Sequence, residues 1–330
     1  MLGRSLADRH WQRRTLLSDL LLIPALLYGG LVALRRAFYR IGILRQRPLP
    51  VPVIVVGNFT VGGTGKTPLT VWLAQQLRAA GYRPGIVTRG YGGQAHGIAA
   101  VSAEADPRLF GDEPVLMARE SGCPVWRGAD RHATGQALLA AEPQVDLVLL
   151  DDGLQHLALA RDIEIALFDE RGAGNGRLLP AGPLREAPRA VDLLVRNGAR
   201  CAPGELAMTL RTVGLFDLYS DAPVAPLELT GQRLHAVAGI GNPSRFFASV
   251  RALGLSCIEH ALADHHDYRV DDLPIGQADV IIVTEKDAVK LRRLARLESA
   301  RVVVLRVQAE AAPELMTRLI ERLRILMRHG

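Results

Sequence analysis

Pro52-Val53-Ile54-Val55-Val56-Gly57-Asn58-Phe59-Thr60-Val61-Gly62-Gly63-Thr64-Gly65-Lys66-Thr67-Pro68-Leu69-Thr70-Val71-Trp72-Leu73-Ala74-Gln75-Gln76-Leu77 passes through three patterns without a break. Its first six residues are an apolar, β-branched run, the mark of a strand buried on both faces of a parallel sheet. From Pro68 the apolar residues take helical spacing, with proline in the first turn, where its missing N–H costs nothing. Strand, glycine-rich loop and helix together are the context of a phosphate-binding loop. The glycines let backbone N–H groups approach phosphate oxygens, and the helix N-terminus adds partial positive charge. Thr60, Val61, Gly62, Gly63, Thr64, Gly65, Lys66 and Thr67 are therefore the candidate nucleotide-binding residues. Lys66 would reach the β- and γ-phosphates, and the Thr67 hydroxyl would ligate Mg²⁺. One departure stands out: the general motif has glycine six residues before the lysine, and here that residue is Thr60.

A second element of such a site belongs at another strand end. Val145-Asp146-Leu147-Val148-Leu149-Leu150 closes in Asp151-Asp152. A carboxylate at the end of a buried strand beside the phosphate loop is how P-loop enzymes hold Mg²⁺. The pair could equally cap a turn into Gly153. No Asn-Lys-x-Asp guanine-selecting run is present, and Thr284-Glu285-Lys286-Asp287 has its lysine and aspartate adjacent. ATP is favoured over GTP.

Thr88-Arg89-Gly90-Tyr91-Gly92-Gly93 follows a strand-like Gly85-Ile86-Val87. Arg89 and Tyr91 among three glycines suggest a loop that meets a ligand closely, although a plain turn would look the same. Gly111-Asp112-Glu113-Pro114 opens a helical run, where acids commonly serve the helix dipole; a catalytic role stays open. Leu179-Pro180-Ala181-Gly182-Pro183-Leu184-Arg185-Glu186 is a rigid loop presenting Arg185, as site residue or as bracket. The second half alternates again: a linker and entry strand over 222–230, strand 234–238, helix 244–253, strand 279–284, helix 285–296, strand 301–305 and helix 313–327. That alternation predicts a second parallel α/β unit. Asp264-His265-His266-Asp267-Tyr268 reads as a polar loop, since its adjacent histidines find no further metal ligand at suitable spacing. Lys286 and Lys290 lie one helical turn apart, on a solvated face or in a site. The expected organisation is a membrane-associated helical segment over 1–46, a P-loop domain over 47–225 and a smaller α/β domain over 226–330.

With 48% hydrophobic and 22% charged residues, the chain is neither disordered nor fibrous. Three scattered cysteines exclude a disulfide framework or zinc cluster and suit a reducing compartment. The net charge is +6, but residues 1–50 hold nine arginines against two aspartates. The rest is near neutral, so no nucleic-acid partner is expected; the basic excess belongs to an N-terminal arm. Of 40 basic residues only Lys66, Lys286 and Lys290 are lysines. The two residue types are not interchangeable where a compact ammonium is needed, which singles these positions out.

The arm carries an uncharged stretch, Leu20–Leu34, flanked by Arg13, Arg14, Arg35 and Arg36 with Trp11, Phe38 and Tyr39 at its margins. A bilayer core calls for about 20 apolar residues. This stretch is shorter and contains Pro24 and Gly29-Gly30, and no cleavage site follows it. Basic residues on both sides favour a helix lying on an anionic leaflet over one that crosses it. A buried core helix is the alternative.

Taken together, GNFTVGGTGKTP, TRGYGG, GDEP, DDGLQH, LPAGPLRE, AGIGNPSRFF, DHH and TEKDAVKL occur in an order and over a length that closely resemble the tetraacyldisaccharide 4′-kinases, the lipid A 4′-kinases of Gram-negative bacteria. The family's own loop carries threonine at the position of Thr60. The resemblance implies a P-loop α/β kinase that uses ATP and Mg²⁺ to phosphorylate the 4′-hydroxyl of tetraacyldisaccharide 1-phosphate, giving lipid IVA. It implies residence at the cytoplasmic face of the inner membrane, with membrane lipid as its surroundings and no obligate protein partner. It also implies Asp112 as general base, paired with His265. Lys66 would act on the phosphates, Asp151 and Asp152 would hold Mg²⁺, and Glu113, Arg89, Tyr91 and Arg185 would support the site. Another P-loop enzyme or a non-catalytic nucleotide switch are the competing readings; a switch has no need of Asp112.

Overall fold

The computed structural model describes residues 10–294, 297 and 301–329. Among these the strands are β1 (Val53–Gly57), β2 (Pro84–Thr88), β3 (Ala99–Val101), β4 (Val125–Arg127), β5 (Leu147–Asp151), β6 (Ile163–Asp169), β7 (Leu193–Asn197), β8 (Leu206–Asp217), β9 (Pro223–Val224), β10 (Leu234–Ala238), β11 (Ile258–Ala261), β12 (Val280–Thr284) and β13 (Arg301–Ala311). They form one sheet in the order β11-β10-β12-β13-β8-β7-β6-β1-β5-β2-β4-β3, with β9 beside β8. The apolar runs read as doubly covered strands are that: β1, β2, β5, β10 and β12 are buried at every residue. β1 lies parallel between β5 and β6, so the strand order reverses beside it. In open α/β sheets that switch point, at the carboxyl ends of the strands, is where ligands bind.

The two halves meet where β8 pairs antiparallel with β13. The sequence predicts neither strand at full length. The third strand of the second half runs on from Leu305 to Ala311, and β8 was not anticipated. Both are partly solvent-facing, with mixed burial along their length, so neither shows the continuous apolar run that marks the central strands. Residues 222–230 form the short β9 and a 3₁₀ turn, Pro226–Leu229. The helix expected over 285–296 ends at Leu291, where Arg292 starts a tighter turn; residues 295–296 lie outside the described residues. The final helix, Pro313–His329, was counted with the second half. Its Leu315, Leu319 and Leu323 pack instead with Leu69, Leu73 and Leu77 in the core of the first half.

At the N-terminus, Thr15 caps the short helix Leu16–Leu20, and Leu22–Arg40 continues as one helix through Pro24 and Gly29-Gly30. Proline is tolerated there because it falls in the first turn. One side of this segment is tied to the body. Arg177 binds Ser18 at 2.9 Å and Asp19 at 2.6 Å, and Tyr28 Oη donates to the Arg185 carbonyl at 2.7 Å. Arg36 pairs with Glu186. The other side presents Leu20, Ile23, Leu26, Leu27 and Leu31, each more than two-thirds exposed. Ala25 is the one buried side chain of the long helix, so the core-helix alternative fails.

The final helix supplies a direct check of the packing. Leu319 is fully buried, so Leu319→Ala should lower unfolding free energy by about 2–5 kcal/mol in a denaturant titration, the cost of a large-to-small core change. Arg318→Ala on the exposed side of the same turn should shift it by no more than about 0.5 kcal/mol.

Candidate active site

Strand ends converge on one cleft of about 600 Å³, lined from the first half by Gly62–Pro68, Tyr91, Glu113, Asp152 and Arg185. From the second half come Ile240, Asn242, Phe246, His265, Glu285 and Lys286. The phosphate loop at the end of β1 is built by side chains around it. Gly65 has φ +99°, and a Cβ there would meet the Asn197 amide nitrogen at 2.6 Å. That buried amide, at the end of β7, donates to the Thr64 carbonyl at 2.8 Å. Asn58 donates to Thr64 Oγ1 at 3.2 Å and accepts from Lys66 Nζ at 3.3 Å, which aims the ammonium. The loop's entry is strapped to the proline-rich segment. Val61 N–H bonds the Pro183 carbonyl, and Arg185 N–H bonds the Phe59 carbonyl at 2.7 Å. Thr60 is buried in this strap, paired with Leu184, and does not line the cleft. The LPAGPLRE segment is thus bracket and site at once.

At the end of β5 the two aspartates differ. Asp151 is buried behind the cleft wall and accepts from Thr70 Oγ1 at 3.1 Å. Burial, with the carboxylates of Glu113 and Asp152, pushes it up to about 7, against the pull of Lys66 and Thr70. Asp152 reaches the cleft with φ 49°, a left-handed conformation that aspartate tolerates better than most residues. Its carboxylate accepts from Arg185 at 3.0 Å and lies 3.6 Å from Lys66. Those cations outweigh its burial and hold it below the usual range. Thr67, Asp151 and Asp152 offer the hard oxygen donors that suit Mg²⁺. Burial, and then the neighbouring carboxylates of Glu113 and Asp152, disfavour a charged Asp151, and a divalent cation beside it would offset both. Among the described residues no three His, Cys, Asp or Glu side chains form a cage. Mg²⁺ is usually held by one or two carboxylates together with phosphate oxygens, so the donor set fits it.

Across the cleft, Asp112 opens the helix Asp112–Ser121 and His265 sits in the loop after β11. His265 Nδ1 lies 3.2 Å from both Asp112 carboxylate oxygens. His265 has φ 58°, another left-handed residue at the site, and its ring stands 5.2 Å from that of Tyr91. Burial would raise Asp112, but the His265 hydrogen bond and the ammonium groups of Lys286 and Lys290 bring it down to about 2. The same hydrogen bond raises His265 above its ordinary value, against burial and the charge of Lys286. Lys286 Nζ contacts Glu113 at 3.0 Å and Asp264 at 3.4 Å. Lys290 Nζ is 3.5 Å from Asp112. A solvated lysine face is therefore overturned, as is a plain polar loop at 264–268. All three lysines of the chain stand at this site.

Of the residues anticipated, Arg89 lies outside the cleft lining and is exposed, while Thr60, Asp112 and Asp151 are buried behind it; burial, and then the charge of Arg89, lowers the pKa of nearby Arg131. The sequence reading missed Asn197 and the placement of Lys290. An asparagine at a strand end carries no pattern, whereas the scarcity of lysine was a usable signal for Lys290.

A family model described as LpxK, tetraacyldisaccharide-1-P 4′-kinase, matches residues 17–324. A tetraacyldisaccharide 4′-kinase from Dechloromonas aromatica is 48% identical, covering 98% of both chains. One from Herminiimonas arsenicoxydans is 48% identical over 96% of this chain and 94% of its own. A crystal structure of LpxK from Aquifex aeolicus in complex with ATP superposes with a TM-score of 0.78 at 30% identity, covering 93% of this chain and 99% of that one.

The glycine loop after β2 gives a test of the site's packing. A Cβ at Gly93 would meet Leu109 O, Phe110 C and Gly111 N at 2.6–2.8 Å, all backbone atoms just ahead of Asp112. Gly93→Ala should push the two loops apart and lower turnover by about 10²-fold, the scale of a displaced catalytic group; steady-state rates decide it.

Proposed function

The chain belongs to the tetraacyldisaccharide-1-P 4′-kinase family, ATP-dependent enzymes that phosphorylate tetraacyldisaccharide 1-phosphate to form lipid IVA, and from that premise we propose that Asp112, set by His265, accepts the proton of the attacking 4′-hydroxyl. The observation that carries this reading is the 3.2 Å contact between them. It joins residues from opposite halves: His265 lines the cleft, and the buried Asp112 stands directly behind it, next to the cleft-lining Glu113.

Phosphoryl transfer asks chiefly for positioning and charge stabilisation. Lys66 and the backbone N–H groups of the loop face the β- and γ-phosphates, in the low-dielectric cleft where such donors act most strongly. Leu210, Ile240, Phe246, Leu305 and Val307 form an apolar wall suited to the adenine ring. Thr67, Asp151 and Asp152 would hold Mg²⁺, which supplies charge neutralisation on the phosphate oxygens when bound. The proton passes from the sugar O4′ to the Asp112 carboxylate. A carboxylate held near pH 2 is a weak base, but the sugar hydroxyl becomes acidic as its oxygen bonds to phosphorus, and the carboxylate is fully ionised when that happens. His265 fixes which way the carboxylate faces.

The lipid acceptor accounts for the N-terminal helix. Its bonded side is tied to the body from Ser18 to Arg36, which leaves the leucine-rich side to meet acyl chains. A helix held alongside a water-filled domain over that length suits the bilayer interface better than a crossing, and its arginines suit an anionic cytoplasmic leaflet.

Purified full-length protein in detergent, with Mg²⁺, γ-labelled ATP and tetraacyldisaccharide 1-phosphate, should transfer label to the lipid. Lys66→Ala and Asp112→Asn should abolish transfer, and His265→Ala should lower it by roughly 10²-fold or more. Wild-type turnover in Asp112→Asn would remove it as base. ATP hydrolysis without labelled lipid would point to another P-loop activity. Replacing Leu26, Leu27 and Leu31 with glutamine should reduce co-sedimentation with anionic vesicles while leaving the melting temperature unchanged; undiminished binding would refute the membrane role of this face.

A further inference from the structure

Lys290 does not line the cleft, yet its ammonium is enclosed. It lies 3.5 Å from Asp112 Oδ2 and 3.4 Å from Asp287 Oδ1. It donates to the His266 carbonyl at 3.1 Å and sits 5.1 Å from the centre of the Tyr268 ring. Asp287 is fully buried and immobilised: it accepts from the Gly239 N–H at 3.1 Å and from Thr284 Oγ1 at 2.7 Å. Lys290 therefore bridges a carboxylate fixed inside the second half to the carboxylate proposed as base in the first. Two buried carboxylates need a countercharge between them, and the space is filled by a compact ammonium in a chain that otherwise uses arginine.

We propose that Lys290 is a positioning residue for the reaction: it holds Asp112 at a fixed distance from His265 by anchoring it to Asp287, without touching substrate. This deepens the assignment of Asp112 as base and rests on it. The contacts also join the loop beginning at Gly239, which forms part of the cleft wall, to the base through Asp287, Lys290 and Asp112 in succession. Lys286, on the same helix face, differs: it lines the cleft and pairs with Glu113 and Asp264. The charged and titratable groups facing Asp112 are then His265, Lys286 and Lys290 from the second half and Glu113 on its own helix. Those facing Lys290 are Asp112, Asp287 and the Tyr268 ring. With His265 and Lys286 also beside it, Asp112 stays ionised at neutral pH with or without Lys290, so what the ammonium contributes is the place of the carboxylate.

The experiment uses full-length enzyme in the lipid assay. Lys290→Met should lower kcat by about 10–100-fold with the KM for ATP nearly unchanged, and by the same factor from about pH 6 to pH 8.5, where Asp112 stays ionised. Lys290→Arg keeps the charge but not the fit. It should lower kcat by a factor that stays constant with pH, and it carries the test should Lys290→Met fail a thermal-melt check. A kcat within twofold of wild type in either variant would overturn the proposal, as would a rise in the KM for ATP in proportion to the fall in kcat. Asp112→Asn separates the two levels. If it is inactive while Lys290→Met is normal, only the role of Lys290 falls; if Asp112→Asn turns over normally, the base assignment falls and this inference with it.

Discussion

The contact between Asp112 and His265 is the constraint around which the rest of the molecule is arranged. Neither residue is useful alone. Asp112 begins a helix in the half that holds the phosphate loop, and His265 belongs to a loop of the other half. The pairing needs both halves held at one separation, and the sheet provides it. β8 and β13 run side by side through the junction, and the final helix returns from the second half to seal the first half's core. A buried carboxylate is tolerated at the meeting point because a helix N-terminus, an imidazole and two ammonium groups surround it.

The same economy of parts links the site to the N-terminal apolar helix. Arg185 holds Asp152, and the next residue, Glu186, holds Arg36 of the helix; the Arg185 carbonyl accepts from Tyr28. The loop that straps the phosphate loop therefore also seats the helix. An enzyme whose acceptor carries acyl chains and whose donor is a soluble nucleotide must place both within bonding distance. A rigid proline-rich loop bonded to both the phosphate loop and the apolar helix fixes their separation without a long, flexible connection.

Much of this was legible in the residues. The phosphate loop declared itself because strand, glycines, lysine and helix occur in one uninterrupted run, and β5 because an apolar strand ends in two acids. The buried parallel strands were plain for the same reason: continuous burial leaves a continuous apolar run. β8 lacks a continuous apolar run and shows instead the alternating pattern of a half-buried strand from Leu206 to Val213, which a reading for apolar runs passes over. Asp112 and His265 could be named only through family resemblance. An acid at a helix start and a histidine in a polar loop are ordinary locally, and a separation of 153 positions in the chain conceals that they touch. Lys290 lay between these cases: its helix face looked solvated, but its being lysine at all was unusual in this chain.

Whether the carboxylate and imidazole act as one unit can be measured without turnover. Histidine-selective NMR titration of the full-length enzyme should place the His265 imidazole above the ordinary histidine value of about 6.5, and Asp112→Asn should bring it down. The sign follows from the pairing: the Asp112 carboxylate stabilises the imidazolium, so its removal releases the proton at lower pH. An unshifted His265 in the wild-type enzyme, or one indifferent to Asp112→Asn, would contradict the account.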